Sequence, residues 1–257
     1  MWGVSSDGKI WFRQQKVQNS SWVNVFSKGD GEVNTVSVND EGTVWHTSGR
    51  GKAFRAVMPE GYSSGIEHAA NPWWYQFRRP TYPPWARIVV NSPQGDKAFA
   101  IDSSTGLVWA QQSNNNKTKW YLEKGSDSKQ HKKMLNISAG KDGRIWGVGP
   151  MDNLYYKDTK DSNDQRNTKD WVYDDSIECT QVSATGDGRV CCLSNKNTIY
   201  VSYKVGVWAK LSGWKNIISV GCGNGGNICA VTKKKNVYCR DTKAAVKGRR
   251  RLNIFSH

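Results

Sequence analysis

The chain of 257 residues has no run of 18 or more apolar residues, so nothing in it reads as a membrane-spanning helix. Its opening residues, Met1-Trp2-Gly3-Val4-Ser5-Ser6-Asp7-Gly8, carry neither a basic start nor an apolar stretch, and no secretory signal is expected in this chain. Histidine is scarce: His46, His68, His131 and His257 are dispersed, without the i, i+4 pairing of a helical zinc site. No G-x-S-x-G elbow, phosphate loop or H-E-x-x-H occurs. The common hydrolase, nucleotide-hydrolysing and metalloprotease chemistries therefore have no footing, and the expectation is a non-enzymatic chain needing no cofactor or metal. Acidic residues number 22 against 37 basic ones, a net charge of +15 with a pI near 9.6. Hydrophobic content is only 37%, with a mean hydropathy of −0.70.

Aromatics and glycine are plentiful. There are 13 Trp, 10 Tyr and 25 Gly against 6 Phe. That much aromatic surface excludes a disordered chain, because disorder follows when too little apolar area offsets chain entropy.

The aromatics repeat. WGVGPMDNLYYK from Trp146 to Lys157 aligns without a gap on WGVSSDGKIWFR from Trp2 to Arg13. The same frame fits Trp45 to Ala56, Cys191 to Ser202 and Cys229 to Arg240. A looser copy starts at Trp109 and reaches the Tyr155 position at Trp120 only with two extra residues. Six copies mean about 43 residues each, the spacing of propeller blades. Short β-rich runs precede most copies: Val36-Ser37-Val38, Ile137-Ser138-Ala139, Val182-Ser183-Ala184 and Ile218-Ser219-Val220. Each leads into Glu41-Gly42, Asp142-Gly143, Asp187-Gly188 or Gly225-Gly226, which read as hairpin turns. Thr105-Gly106 is placed likewise before Trp109, with Ala100 holding the strand place.

The C-terminal Leu252-Asn253-Ile254-Phe255-Ser256-His257 echoes Leu135 to Gly140, whereas Trp2 has only Met1 before it. Asn253 to Phe255 is thus expected to pair antiparallel with Trp2 to Val4, closing a ring without exposed edges. The fold expected is all-β: a six-bladed β-propeller of four-stranded antiparallel blades, one domain over residues 1–257. The segment 59–84, with Trp73-Trp74-Tyr75 and five of the seven prolines, reads as an insertion or elongated loop.

The pattern I-S-V-G-x-D-G-x-V-W-G-V-x-x-x-x-x-I-Y-x-R resembles that of tectonin-type β-propeller lectins, a group that takes in tectonins, fish-egg lectin and tachylectin-1. Ile137 to Lys157 is the nearest copy, and Cys191 and Cys229 replace the motif Trp in two others. The resemblance implies a multivalent lectin of microbial or cell-surface glycans, an agglutinin of innate defence. Its implied ligands are lipopolysaccharide, N-acetylglucosamine-type sugars or O-methylated glycans, and its implied location is extracellular or at the cell surface.

Two sets of Trp are distinguished. Trp2, Trp45, Trp109 and Trp146 share a position that also accepts Cys, a small buried hydrophobe, so they are expected in the interior. Trp22, Trp85, Trp171 and Trp208 fit the family's habit of a Trp at the start of the innermost strand. There they would lie beside turns carrying Asn39, Asp142, Asp187 and Asn224. An aromatic face for sugar C–H groups beside polar side chains for hydroxyls is what carbohydrate recognition needs. These eight are the candidate sugar-binding residues, the alternative being that the Trp residues only plug blade interfaces. Asp161, Asp164, Asp170, Asp174 and Asp175 around Trp171 read as a solvated loop.

All six cysteines, Cys179, Cys191, Cys192, Cys222, Cys229 and Cys239, lie in the last two copies. Cys229 faces Cys222 across one hairpin and Cys239 across the next, and cannot join both. The adjacent Cys191-Cys192 pair tips the expectation toward reduced thiols. The basic excess gathers at Lys132-Lys133, Lys233-Lys234-Lys235 and Arg249-Arg250-Arg251, a set expected to draw the protein to anionic partners. Lipopolysaccharide and anionic membrane come first, and nucleic acid last because no binding motif accompanies the charge. The alternative to a lectin is a non-catalytic protein-interaction or anionic-membrane-binding scaffold.

Overall fold

The computed structural model describes residues 2–13, 21–25, 32–38, 44–57, 73–76, 85–90, 98–114, 117–123, 132–140, 143–159 and 170–242. Two compact units divide the chain, Met1–Leu122 and Glu123–His257. The first holds three antiparallel sheets in chain order: β1 (Trp2–Val4), β2 (Ile10–Phe12) and β3 (Val23–Val25); β4 (Val33–Val38), β5 (Val44–Ser48), β6 (Ala53–Val57) and β7 (Trp73–Gln76); β8 (Trp85–Val90), β9 (Ala98–Asp102), β10 (Val108–Asn114) and β11 (Lys117–Leu122). The second holds three more: β12 (Asn136–Ala139), β13 (Arg144–Val148), β14 (Asn153–Asp158) and β15 (Val172–Glu178); β16 (Gln181–Ala184), β17 (Val190–Leu193), β18 (Ile199–Lys204) and β19 (Val207–Lys210); β20 (Ile217–Cys222), β21 (Asn227–Thr232) and β22 (Val237–Asp241). The all-β expectation holds. The expected pairing of Asn253–Phe255 with Trp2–Val4 lies outside the described residues.

Three of the turns follow one chemical recipe. In Ser48–Lys52, Thr185–Arg189 and Ser194–Thr198 the first residue's N–H bonds the fifth's carbonyl, and its hydroxyl accepts the fifth's N–H. The fourth residue takes a left-handed φ, +73° at Gly51, +81° at Gly188 and +54° at Asn197. Only Gly and Asn visit that region cheaply, so Ser/Thr-x-x-Gly/Asn specifies a three-residue hairpin loop with a bulge.

Neighbouring sheets in the second unit are joined by a polar ladder. β16 and β20 are first strands, and along one edge each carries N–H groups with no strand beside them. Asn136 Oδ1 accepts from Val182 N–H at 3.2 Å, and Ser138 Oγ from Ala184 N–H at 2.8 Å. The next step repeats it: Gln181 Oε1 accepts from Val220 and Ser183 Oγ from Cys222, both at 2.9 Å. Ser138 of the Ile137-Ser138 run and Ser183 of the Val182-Ser183 run thus satisfy the backbone of the following sheet. Lys157 adds a fully buried ammonium paired with Glu123 at 2.6 Å.

Register corrects two expectations. Ile137 opposes Gly147, which opposes Tyr155; Ile88 opposes Ala100, which opposes Trp109. Trp109 therefore stands in the Tyr155 place on a third strand, and Phe99 takes the interior Trp place. Thr105-Gly106 turns from the second strand to the third, one hairpin later than expected, and Trp120 lies on the fourth. The sequence frame slipped because it was anchored on tryptophan, and this copy carries its tryptophans one strand later. The second correction concerns 59–84, which supplies β7, paired with β6 through Ala56 and Trp74.

The cysteines are paired, against the expectation of reduced thiols: Cys179–Cys192, Cys191–Cys222 and Cys229–Cys239. Gly221, not Cys222, opposes Cys229, whereas Cys239 opposes it directly. Register decides the choice that spacing left open. Where Trp146 opposes Tyr156 with ring centres 5.3 Å apart, the last sheet has Cys229 opposite Cys239. Cys191, also in the Trp146 position, reaches into the next sheet to Cys222. Two aromatic contacts of the repeat have become covalent.

Two outcomes are expected. Ser183→Ala leaves the Cys222 N–H without its acceptor and should cost about 1–3 kcal/mol in denaturant unfolding, against under about 0.5 for exposed Ser212→Ala. Alkylation of the folded, unreduced protein should label none of the six cysteines, and replacing Cys191 and Cys222 by Ser should cost about 3–4 kcal/mol.

Candidate functional site

The junction between the β12–β15 and β16–β19 sheets assembles an aromatic and charged cluster. Trp208, on β19, is half-buried and packs edge-on against Trp146, centroids 6.1 Å apart. Its Nε1–H donates to Asp174 Oδ2 at 3.2 Å. Asp174, only 4% exposed, also accepts the Ser176 N–H and hydroxyl. Tyr156 lies beside Trp146, with the Arg144 guanidinium 5.4 Å from its ring centre and bonded to Asp158 at 2.8 Å. An indole with part of its surface in solvent, among fixed carboxylates and a guanidinium, has the chemistry to stack on a sugar ring and bond its hydroxyls.

The next junction has an apolar centre, and a polar contact stands at the turns beside it. Asp187 accepts the Gly225 N–H of the neighbouring sheet at 3.2 Å, the Thr185 hydroxyl, and Arg189 at 3.3 Å. Burial raises its pKa, but the Thr185 and Gly225 hydrogen bonds and the Arg189 charge outweigh it, so the carboxyl lies below the usual range. Arg189, almost fully buried, sits 4.8 Å beneath the exposed ring of Tyr203.

The expected sugar residues separate. Trp22 is half-buried just before β3, Trp171 precedes β15 and Trp208 lies in β19, all on the last strands of their sheets. Only Trp85 begins a first strand, β8, and its side chain lies outside the described residues. First strands are instead occupied by the residues of the polar ladder, which is why the innermost-strand placement fails for the other three. Trp171 is 7% exposed and packs on Gly147, where a Cβ would come within 3.2 Å of its Cζ3. Trp171 is an interior side chain and offers no open face. Asn39 and Asp142 lie outside the described residues, as does the side chain of Asn224. Of the cationic set, Lys132 lies 5.5 Å from the Tyr155 ring centre, Lys133, Lys233, Lys234 and Lys235 are exposed, and Arg249–Arg251 lie outside the description. Asp174, expected in a solvated loop, is instead a strand residue that fixes Trp208. It is the one buried residue of β15, and no apolar–polar alternation in VYDDSIE marks it.

A family model described as the Tectonin domain matches residues 84–241, more than half of the chain. The chain belongs to the tectonin family. No curated protein sequence matches it significantly. Among solved structures this tectonin chain is similar to one in the crystal structure of a nidogen/laminin complex, with a TM-score of 0.66 and 12% identity over 97% of this chain and 90% of that one. It is also similar to Prp20p from Saccharomyces cerevisiae (TM-score 0.54, 11% identity, 93% of this chain and 68% of that one). A third, YCF48 bound to a D1 peptide, gives 0.55 and 14% identity over 93% and 74%. These neighbours are β-propellers, and at such identities the likeness concerns fold alone.

His46 is the one histidine among the described residues of the tectonin chain. It occupies the Gly147 position, 1% exposed and stacked on Phe54 with centroids 4.6 Å apart. Burial disfavours its imidazolium and outweighs the Thr47 backbone contact, lowering its pKa from 6.5 to about 4. No group of three or more His, Cys, Asp or Glu able to hold a metal occurs among the described residues. Because the unfolded chain binds the proton first, stability should be full above pH 6.5 and fall by roughly 3 kcal/mol as pH drops to 4. Urea unfolding across that range checks this, and His46→Leu should flatten the decline.

Proposed function

We propose that this tectonin-family protein is a multivalent, non-enzymatic lectin that binds glycans of microbial or cell surfaces at the junctions between its sheets. The ring included in this reading is a six-bladed propeller, closed by pairing of Asn253–Phe255 with Trp2–Val4. The observation that carries the reading is Trp208, held by Asp174 at a sheet junction with part of its indole in solvent. Trp22, just before the last strand of its sheet, is the corresponding platform elsewhere, and Trp85, at the start of a first strand, is a further candidate, with Asn39, Asp142, Asp187 and Asn224 as polar partners; Trp171 is left out. One such site is weak, and repetition gives avidity by making later contacts intramolecular. Lipopolysaccharide, N-acetylglucosamine-type and O-methylated sugars are the ligand classes proposed from the family resemblance, and innate defence is the proposed role. Cys191–Cys222, joining two sheets, fits maturation in an oxidising compartment such as the secretory route.

A glycan array with calorimetry of the best hits tests this. Trp208→Ala should weaken binding to the preferred glycan about tenfold, Trp208→Phe less, with melting temperature reporting the fold in both. No binding to any glycan at high protein concentration would refute it.

A further inference from the structure

We infer that one rim of the second unit is a docking surface for a bilayer bearing anionic phospholipid headgroups. The ladder fixes the geometry. Asn136 to Val182 and Ser138 to Ala184, then Gln181 to Val220 and Ser183 to Cys222, advance by equal steps, so the three first strands run parallel. All turns from second to third strands, and all connections from one sheet to the next, therefore emerge at the same end.

That end is basic. Before β12 stand Lys132 and Lys133, and the turn after β17 carries Lys196. The connection from β19 to β20 carries Lys210 and Lys215, and the turn after β21 carries Lys233, Lys234 and Lys235. The last two segments are tied together by the Lys233 N–H to Asn216 carbonyl bond of 2.8 Å. Eight lysines face two acids there, Asp152 and Glu178, a net of +6 among the described residues. At the opposite end the described residues include Asp158, Asp170, Asp187 and Asp241 against Arg144, Arg189 and Lys204. Among the described residues, the charge is polarised along the strands.

Apolar tips stand at the basic end. Met151, at φ +64° on the turn between β13 and β14, is 84% exposed, and Leu135, beside Lys133, is 68% exposed. A soluble polyanion would use the lysines and ignore these two side chains. A bilayer uses both, since lysines gain from the anionic surface while Met and Leu enter the headgroup layer. The occupant favoured is thus the membrane. This end is distinct from the Trp208 cluster and stands whether or not the junctions hold sugar.

The test is flotation with phosphatidylcholine vesicles containing 30% phosphatidylglycerol, against phosphatidylcholine alone. Binding is expected only to the first and should fall about 100-fold in Lys233→Gln/Lys234→Gln/Lys235→Gln. It should fall severalfold in Leu135→Gln/Met151→Asn, Asn being chosen because it tolerates the left-handed backbone. Melting temperatures and glycan binding of both variants should match the parent. Absence of binding to the anionic vesicles overturns the inference. So does binding that ignores Leu135 and Met151 and is matched by soluble heparin, which would make the rim a polysaccharide site.

Discussion

The side-chain-to-backbone ladder between first strands is the interaction on which the second unit depends. A sheet that meets its neighbour through an edge strand presents N–H groups that its own hairpins do not satisfy. An orphaned buried donor costs more than an ordinary hydrogen bond gains. One polar side chain on every second residue of the preceding strand, Asn136 and Ser138 or Gln181 and Ser183, removes that cost. The same groups set the offset between sheets, and with it the rim on which each turn emerges. Asp187 extends the ladder one step further, onto the Gly225 N–H.

Between the ladders, the junctions are filled by whatever occupies the motif Trp position. At one junction it is Trp146, braced by Tyr156 and Trp208. At the next it is Cys191, and the wedge is replaced by a bond to Cys222. Under the lectin reading proposed above, an aromatic junction has rings to offer a sugar and a disulfide junction does not, so sites equivalent by repeat need not be equivalent in binding. The charged and apolar features of the turns are set apart from both, at the strand ends.

The repeat was legible because hairpins leave a chemical signature: Asp-Gly and Gly-Gly turns, Ile-Ser runs and a recurrent Trp. The class of fold and the approximate strand positions follow from these alone. Trp109 shows where such reading stops, since a tryptophan fits the second or the third strand equally well and only pairing chooses. The cysteines show the same boundary, because spacing puts Cys229 within reach of two partners and register removes one. Of the candidate site, Asp187 was legible as a turn residue, whereas Trp208 was expected on a first strand and lies on a last one. What was not legible is exposure: Trp171 and Trp208 look alike in sequence, and only packing on Gly147 buries the first. Asp174 was hidden by its acidic neighbours, and no alternation in VYDDSIE sets it apart.

Amide hydrogen exchange followed by NMR tests the ladder directly. Val182, Ala184, Val220 and Cys222 have no strand-paired acceptor for their N–H groups. They should nonetheless exchange as slowly as the central β17 amides and only with global unfolding. Exchange of these four amides at rates typical of open sheet edges, orders of magnitude faster than β17, would contradict the account.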